Sequence, residues 1–473
     1  CSYNISVHDN ESNRDDPLAG VASLVEESPV LRSSGKTNKH LRECLKMTDS
    51  IIPAETSSLD DIRPRRFDRY AQTVLFGLLR RLKRGKLTIL DGDKKHEFGQ
   101  IDEFCQLEAV IAVHHPRFYS STVFGGTVGA GEAYIAGYWS VDNLTAVIRI
   151  IVLNQNLLRR MGKGWARISV PAQKLFYFLD RNTRKGSQTN IAAHYDLGND
   201  FYQLFLDKTM TYSCGIFENE NSTLEEASIA KYDRICRKLD LSPADHVLEI
   251  GTGWGGFSIH AAQNYGCSIT TTTISKAQFE MAKERVTEAG LSDRIELLMT
   301  DYRDLDKTYD KLVSIEMIEA VGHQYLDTFF RCCSDRLKEH GMMLLQAITI
   351  ADYAFENHKH TVDYIKRFIF PGSCIPSVTA MCDSVARATD LRLFHLEDIT
   401  PHYARTLREW RNRFFANIDQ VRSLGYSDAF IRMWEYYLCY CEGGFEERYI
   451  GDVQMLFTKP LCRREPILPD LNP

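Results

Sequence analysis

VLEIGTGWGGF, residues 247–257, is an apolar strand-like run that breaks into glycines at 251, 253, 255 and 256 before the pattern turns helical. A chain that must turn so tightly from strand to helix, with backbone N–H groups bared at the turn, has few folds open to it. From Asp245 onward the β-rich runs HVLEIGTG, SITTTT, IELLMT, KLVSIEM and MMLLQAITI alternate with helical stretches such as SKAQFEMAKERVTEAG and YLDTFFRCCSDRLKEH. The alternation predicts an α/β fold, a doubly wound and mostly parallel sheet, with ligands at the carboxyl ends of its strands.

The rest of the chain has a different texture. Residues 1–60 are rich in Ser, Asn, Asp and Glu without a sustained period, which predicts a weakly ordered leader. The first residue is Cys1 rather than Met, as expected of a processed or truncated N-terminus. From Arg63, RPRRFDRYAQTVLFGLLRRLKRGKLTIL sets Phe67, Tyr70, Val74, Leu75, Leu78, Leu79 and Leu82 at helical spacing among many Arg and Lys. A second basic stretch runs from Thr145 to Lys185 and includes Arg149, Arg159, Arg160, Lys163, Arg167, Lys174, Arg181 and Arg184. The whole chain carries a net charge of −6, so this positive charge is a local asymmetry. A basic amphipathic surface suits an anionic membrane; a solvated face over an ordinary core is the alternative. No nucleic-acid-reading motif is present, and nucleic acid is not an expected partner.

No uncharged apolar run reaches the roughly 18 residues of a membrane span; the longest candidate, 146–158, is broken by Arg149, Asn154, Gln155 and Asn156. The 13 cysteines are odd in number and lack any C-x-x-C spacing, so reduced thiols in a cytosolic-type compartment are expected, and no metal site.

Three details turn the glycine loop toward S-adenosylmethionine. Glu249 precedes Gly251, where a carboxylate can meet the amino group of that cofactor. Gly255 follows Gly251 and Gly253 too early for a dinucleotide fingerprint. Asp301 and Tyr302, in LLMTDYRDL, close a third strand where the adenine edge would lie. After the second strand no carboxylate awaits the ribose; Thr273 and Gln278 are the available polar groups.

These pieces together resemble the cyclopropane fatty acid synthase family, which includes the mycolic acid cyclopropane synthases. The resemblance rests on HYDLGNDFYQLFLDKTMTYSC, LEIGTGWGG, TISKAQ, DYRDL, SIEMIEAVG, FIFPGSCIPS and HYARTLREW, in order, and on FGGTVGAGEAYIAGYWSVDNL at 124–144. It covers roughly residues 65–460. It implies a Rossmann-like methyltransferase domain at 187–465 behind a smaller, mainly helical, lipid-engaging domain at 61–186. It implies transfer of a methylene unit from S-adenosylmethionine to the double bond of an acyl chain in phospholipid, by a cytoplasmic protein peripheral at the membrane surface; a homodimer is one assembly open to the chain. By resemblance, Tyr195, Tyr212 and Ser213 lie against the cofactor and Cys214 offers backbone contacts near the reacting carbon. A bicarbonate ion there serves as base, oriented by Glu319 with Tyr403 beside it.

Two positions depart from the best-known members. Gln346 in LLQAIT stands where they carry a histidine, and Ala320 follows the key glutamate. Glutamine still donates an N–H to an anion but holds no proton charge. That leaves three expectations: a cyclopropane synthase, a related lipid C-methyltransferase giving a methyl- or methylene-branched chain, or a lipid-binding protein that has lost catalysis.

Overall fold

The computed structural model describes residues 65–155 and 197–468. The leader, Tyr195, the basic residues from Arg159 to Lys185 and the boundary expected near 186 lie outside the described residues.

The N-terminal part opens with α1 (Arg66–Leu79), then β1 (Gly85–Asp91), β2 (Lys94–Gln100), β3 (Glu108–Val113), α2 (Arg117–Ile135), β4 (Trp139–Val141) and α3 (Leu144–Leu153). Helix is its larger component, as the resemblance implied. Among the helices sits a four-stranded sheet, in the order β2-β1-β3-β4, that the sequence reading did not foresee. Its signal is the Asp91–Lys94 turn, where Gly92 at φ +56° lets two residues reverse the chain between antiparallel β1 and β2. The amphipathic reading of α1 holds in part. Leu75 and Leu79 are buried, whereas Phe67 and Tyr70 are 55% and 60% exposed. The helical period ends at Leu79, and LTIL becomes the buried strand β1.

The second part contains α4 (Asn199–Gln203), α5 (Leu224–Leu239), β5 (His246–Ile250), α6 (Gly256–Tyr265), β6 (Ser268–Thr272), α7 (Lys276–Glu288), β7 (Ile295–Leu298) and β8 (Tyr309–Ile315). It continues with α8 (Leu326–Asp335), β9 (Leu337–Ile350), α9 (Asp352–His358), α10 (Val378–Ala388), β10 (Arg392–Asp398), α11 (Thr400–Ala416), α12 (Ile418–Ser423), α13 (Asp428–Glu446) and β11 (Ile450–Thr458). Seven strands form one sheet in the order β10-β11-β9-β8-β5-β6-β7. The five from β9 to β7 are parallel, and β11 and β10 add antiparallel at one edge. The expected doubly wound sheet is therefore present, with strand order reversing between β5 and β8. One helical expectation is corrected: residues 337–340 of YLDTFFRCCSDRLKEH belong to β9, because Leu337 pairs with Tyr309 of β8. Pairing in the central sheet outweighs a local helical period.

Sequence signals set the helix starts. Thr223 and Glu226 form a reciprocal cap on α5, and the Ser427 hydroxyl accepts from Phe430 N at the start of α13. The two parts dock through α13. Gly131 lets α2 approach so closely that a Cβ there would lie 3.3 Å from the Tyr436 ring of α13 and 2.5 Å from the Tyr364 ring, which precedes it in the chain. Tyr134 donates to Glu435 (2.8 Å), and Arg149 pairs with Glu447 (2.6 Å). Arg149, counted above in a membrane-facing basic stretch, is thus part of an internal seam.

Candidate active site

The glycine loop leaves β5 with three residues at positive φ: Gly251 at +104°, Gly253 at +52° and Gly255 at +83°. Gly251 N and Thr252 N donate to Thr272 O at 3.0 and 3.2 Å, which ties the loop to β6. A Cβ on Gly253 would meet nothing within 4 Å, while one on Gly256 would strike the Tyr232 hydroxyl at 2.6 Å. The loop is thus closed on its inner side and open over a cavity of about 1000 Å³. Glu249, Thr273, Gln278, Asp301 and Tyr302 line the same cavity, as expected for a nucleoside site at the switch between β5 and β8. Glu249 is buried and accepts from Thr271 Oγ1 (2.6 Å) and Ser258 Oγ; burial pushes its pKa up to about 7. Thr273 Oγ1 donates to Gln278 Oε1 (3.1 Å), and Asp301 is gripped by the Arg303 guanidinium at 2.6 and 2.8 Å. An open glycine cradle with a buried acid at its entrance fits the amino-acid and nucleoside ends of S-adenosylmethionine.

The aromatic segment before the loop is clamped over it. Arg285 of α7 donates to the carbonyls of Trp254 (2.6 Å), Thr209 (3.0 Å) and Lys208 (3.1 Å), and Trp254 Nε1 donates to Asn199 Oδ1 (2.7 Å). Tyr212 packs on Trp410 and shares a hydroxyl contact of 2.9 Å with Tyr437. Ser213 accepts from Lys231 Nζ (2.8 Å), a lysine wholly inside the fold whose pKa burial lowers to about 8. Burial, with Asp452 and Glu316 nearby, holds the Cys214 thiol well above its ordinary pKa, so it stays protonated. Cys214 meets the site through its backbone.

Beyond the loop Glu316 and Glu319 line the cavity, and a third carboxyl group, that of Asp452, is buried near them. Glu316, at the end of β8 with φ +49°, accepts from Cys214 N (2.8 Å) and Gln346 Nε2 (2.8 Å) at one oxygen and from the Tyr403 hydroxyl (2.5 Å) at the other. Glu319 accepts from Ile348 N (2.5 Å) at Oε1, while its Oε2 has no partner; burial first and the Glu316 charge second push its pKa up to about 8. Asp452 on β11 accepts from Gln346 Nε2 (3.1 Å), and its Oδ1 has no partner. Gln346 is itself held by Gln454 (3.0 Å), its direct partner across β9 and β11, and Gln454 by Lys238 (2.7 Å).

Cys214, Gln346 and Tyr403 therefore do come together, but around Glu316 rather than Glu319. These are the groups from which the resemblance assembles a bicarbonate site. Their hydrogen bonds are given to a carboxylate of the chain itself, so the arrangement does not fit a separate bicarbonate, and no step is derived through one. Glu316 was legible only as the earlier of two glutamates in SIEMIEAVG. Lys231, mid-helix, and Asp452, on the antiparallel edge, carry no local motif.

The sheet order, the glycine cradle and the lipid-sized cavity beside it define a methyltransferase that uses S-adenosylmethionine. The profile of the mycolic acid cyclopropane synthetase family matches residues 182–455, more than half of the chain, and the chain belongs to that family. It is 39% identical over 336 residues to tuberculostearic acid methyltransferase of Mycobacterium tuberculosis, covering 70% of this chain and 78% of that one. It is 35% identical over 355 residues to cyclopropane-fatty-acyl-phospholipid synthase of Escherichia coli, covering 74% and 88%. Among solved structures, the mycolic acid cyclopropane synthase CmaA1 complexed with SAH and CTAB is similar at 32% identity and TM-score 0.54, covering 57% of this chain and 98% of that one. The cyclopropane synthase MmaA2 from Mycobacterium tuberculosis is similar at 30% identity with the same TM-score and coverage.

Proposed function

We propose that the protein transfers a methylene unit from S-adenosylmethionine to the double bond of an unsaturated acyl chain in phospholipid, forming a cyclopropane fatty acid. One observation carries this reading. The cavity that begins at the glycine loop passes Glu316, Glu319 and Tyr403 and continues along an apolar wall of Leu75, Ile89, Trp139 and Ile148 from the N-terminal part. Such a passage suits an acyl chain entering from the N-terminal side with its double bond laid beside the cofactor.

When bound, S-adenosylmethionine supplies an electrophilic methyl on a positively charged sulfur. The residues around it must bind that charge, hold the olefin in line and keep water away from the carbon cation that attack leaves behind. Glu249 offers the acid for the cofactor's amino group. Tyr212, Tyr403 and Tyr437 wall the cavity with rings, which exclude water and tolerate cationic character. Glu319 lines the cavity near Glu316, whose charge helps keep it protonated, and Gln346 holds Glu316 from the sheet side.

A second reading, methylation to a methyl- or methylene-branched chain, is supported by the likeness to tuberculostearic acid methyltransferase. It shares the methyl transfer and parts from the first reading in the fate of the cation, which a hydride shift moves to the methyl-bearing carbon before the proton is lost. Incubation with unsaturated phospholipid vesicles and methyl-labelled cofactor, followed by mass spectrometry of the acyl chains, separates the outcomes. A ring supports the first reading and a branched chain the second. Vesicle binding without transfer would mean that only a lipid-binding role survives.

The proposal also places α1 and the loop after it at an anionic membrane. Arg80, Arg81, Lys83 and Arg84 are exposed after the last turn of α1, Phe67 and Tyr70 are exposed in its first turns, and among the described residues no helix is long and apolar enough to cross a membrane. Reversing those four charges is expected to weaken sedimentation with anionic vesicles at least about tenfold, and added salt to do the same to the unaltered protein. Equal sedimentation in both tests would leave this surface a solvated face.

A further inference from the structure

We infer that Glu316 is the proton acceptor of the transfer: a carboxylate built into the chain at the position where the family resemblance places a free bicarbonate ion. The inference rests on the function proposed above and adds the identity of its base. Four observations carry it.

The first is place. Glu316 lines the cavity at the carboxyl end of β8, and its neighbour Met317 lies 3.4 Å from where a Cβ on Gly251 would stand. The acid and the cofactor cradle are thus next to each other across the switch point.

The second is the donor set. Cys214 N, Gln346 Nε2 and Tyr403 OH each donate to Glu316, and Gln346 gives Asp452 a second, longer hydrogen bond. Glu319 and Asp452 each have an oxygen without a partner. Hydrogen bonds to the ionised form favour ionisation, so in a cluster of three acids the negative charge settles on Glu316 and the protons on the other two. Burial raises the pKa of all three acids; on Glu316 the hydrogen bonds from Tyr403, Cys214 and Gln346 work against that rise, while the Glu316 charge pushes Glu319 and Asp452 further up.

The third is capacity. A carboxylate offers about four acceptor directions, and three are filled here, which leaves one for an incoming proton.

The fourth is the backbone. Glu316 is one of four non-glycine residues at positive φ among those described, a conformation that costs energy unless its surroundings demand it. The strain turns the side chain into the cavity.

The chemistry balances without a further reactant. The olefin's π electrons form a bond to the methyl carbon as the carbon–sulfur bond breaks, and its pair leaves with sulfur. A C–H bond of the added methyl then breaks. Its proton goes to Glu316, which becomes neutral, and its electrons close the ring onto the cationic carbon. In the branched outcome a hydride first shifts from the methyl-bearing carbon to the cationic one; the same base then takes a proton from the methyl group, and the C–H pair forms the double bond of a methylene branch. An anion fixed beside the cation lowers the energy of both transition states.

The test compares the full chain with Glu316→Gly and Glu316→Gln. Glycine suits the positive φ and leaves an empty anion position; glutamine fills the volume without the charge. In carbon-dioxide-free buffer, with unsaturated phosphatidylglycerol vesicles, the unaltered protein is expected to turn over at the same rate with or without bicarbonate. Both variants should lose at least about a hundredfold in turnover, with affinity for S-adenosylhomocysteine kept within about threefold. Bicarbonate or formate should restore turnover to Glu316→Gly and not to Glu316→Gln. Titration with ¹³C-bicarbonate, read by NMR, should show binding to Glu316→Gly alone.

Bicarbonate dependence of the unaltered protein, ¹³C-bicarbonate bound to it, full turnover by Glu316→Gly without added anion, or a loss that no anion restores would each overturn the inference. Absence of methyl transfer by the unaltered protein would instead sink the proposed function, and the ¹³C titration would still decide whether Glu316 fills the anion position.

Discussion

Valine in place of Gly251 is expected to abolish S-adenosylmethionine binding in a chain that still folds. Gly251 holds φ +104°, which a β-branched residue does not adopt without strain, and a Cβ there already touches the Met317 side chain at 3.4 Å. The loop has no room to relax toward β6, because the Gly251 and Thr252 amides are bonded to Thr272 O. It must move outward, into the space where the cofactor would sit. Strain of about 1–3 kcal/mol together with lost contact gives at least a hundredfold loss of affinity by rough reckoning. Calorimetric titration with S-adenosylhomocysteine measures it, and circular dichroism confirms folding. Gly253→Ala is the milder control: its φ of +52° is one an L-residue tolerates, and its Cβ would stand in open space. Undiminished binding by Gly251→Val would show that the cofactor does not rest on this loop.

The second large effect is on stability. Glu319 has its folded pKa raised from 4.5 to about 8 by burial and by the charge of Glu316. A carboxyl of this kind binds its proton more tightly in the folded chain than in the unfolded one. Its contribution is fully present below about pH 4.5 and is lost as pH rises through about 8. The protein is therefore expected to lose stability across this window, with Glu319 accounting for a loss on the order of a few kcal/mol. Glu319→Gln, which cannot ionise, should flatten the curve and melt several degrees higher than the unaltered protein at pH 8, with a much smaller difference at pH 5. Scanning calorimetry at both values decides it. Equal pH dependence in the two proteins would mean that Glu319 is ionised throughout.

How much of this was readable beforehand differs from element to element. The β5–loop–α6 unit announced itself because its glycines sit at fixed offsets after an apolar run, and the geometry of a tight turn leaves little choice. The central strands were legible for the same reason: short apolar runs between helical periods have few other fates. Residues 337–340 were misassigned because their pairing with β8 depends on a strand nearly thirty residues away. The N-terminal sheet was missed although the Gly92 turn marked it, since the surrounding Lys and Glu mask the alternation of β2. In the site, Cys214, Gln346 and Tyr403 were found through resemblance, and the structure does bring them together. Their common partner was not found. The conformation of Glu316 is fixed by a backbone twist that no sequence period encodes, and Lys231 and Asp452 reach the site only through the packing of α5 and β11 on the sheet.

The cavity crosses the seam between the two sheets, so neither half can enclose the reaction alone. Deprived of residues 65–155, the pocket would lose the wall built from Leu75, Ile89 and Trp139 and would admit solvent beside Glu316. A carbenium centre born there would be quenched by hydroxyl capture, and the lipid would leave as a methylated alcohol. The small N-terminal sheet is in this respect a stopper that decides which nucleophile reaches the cation first.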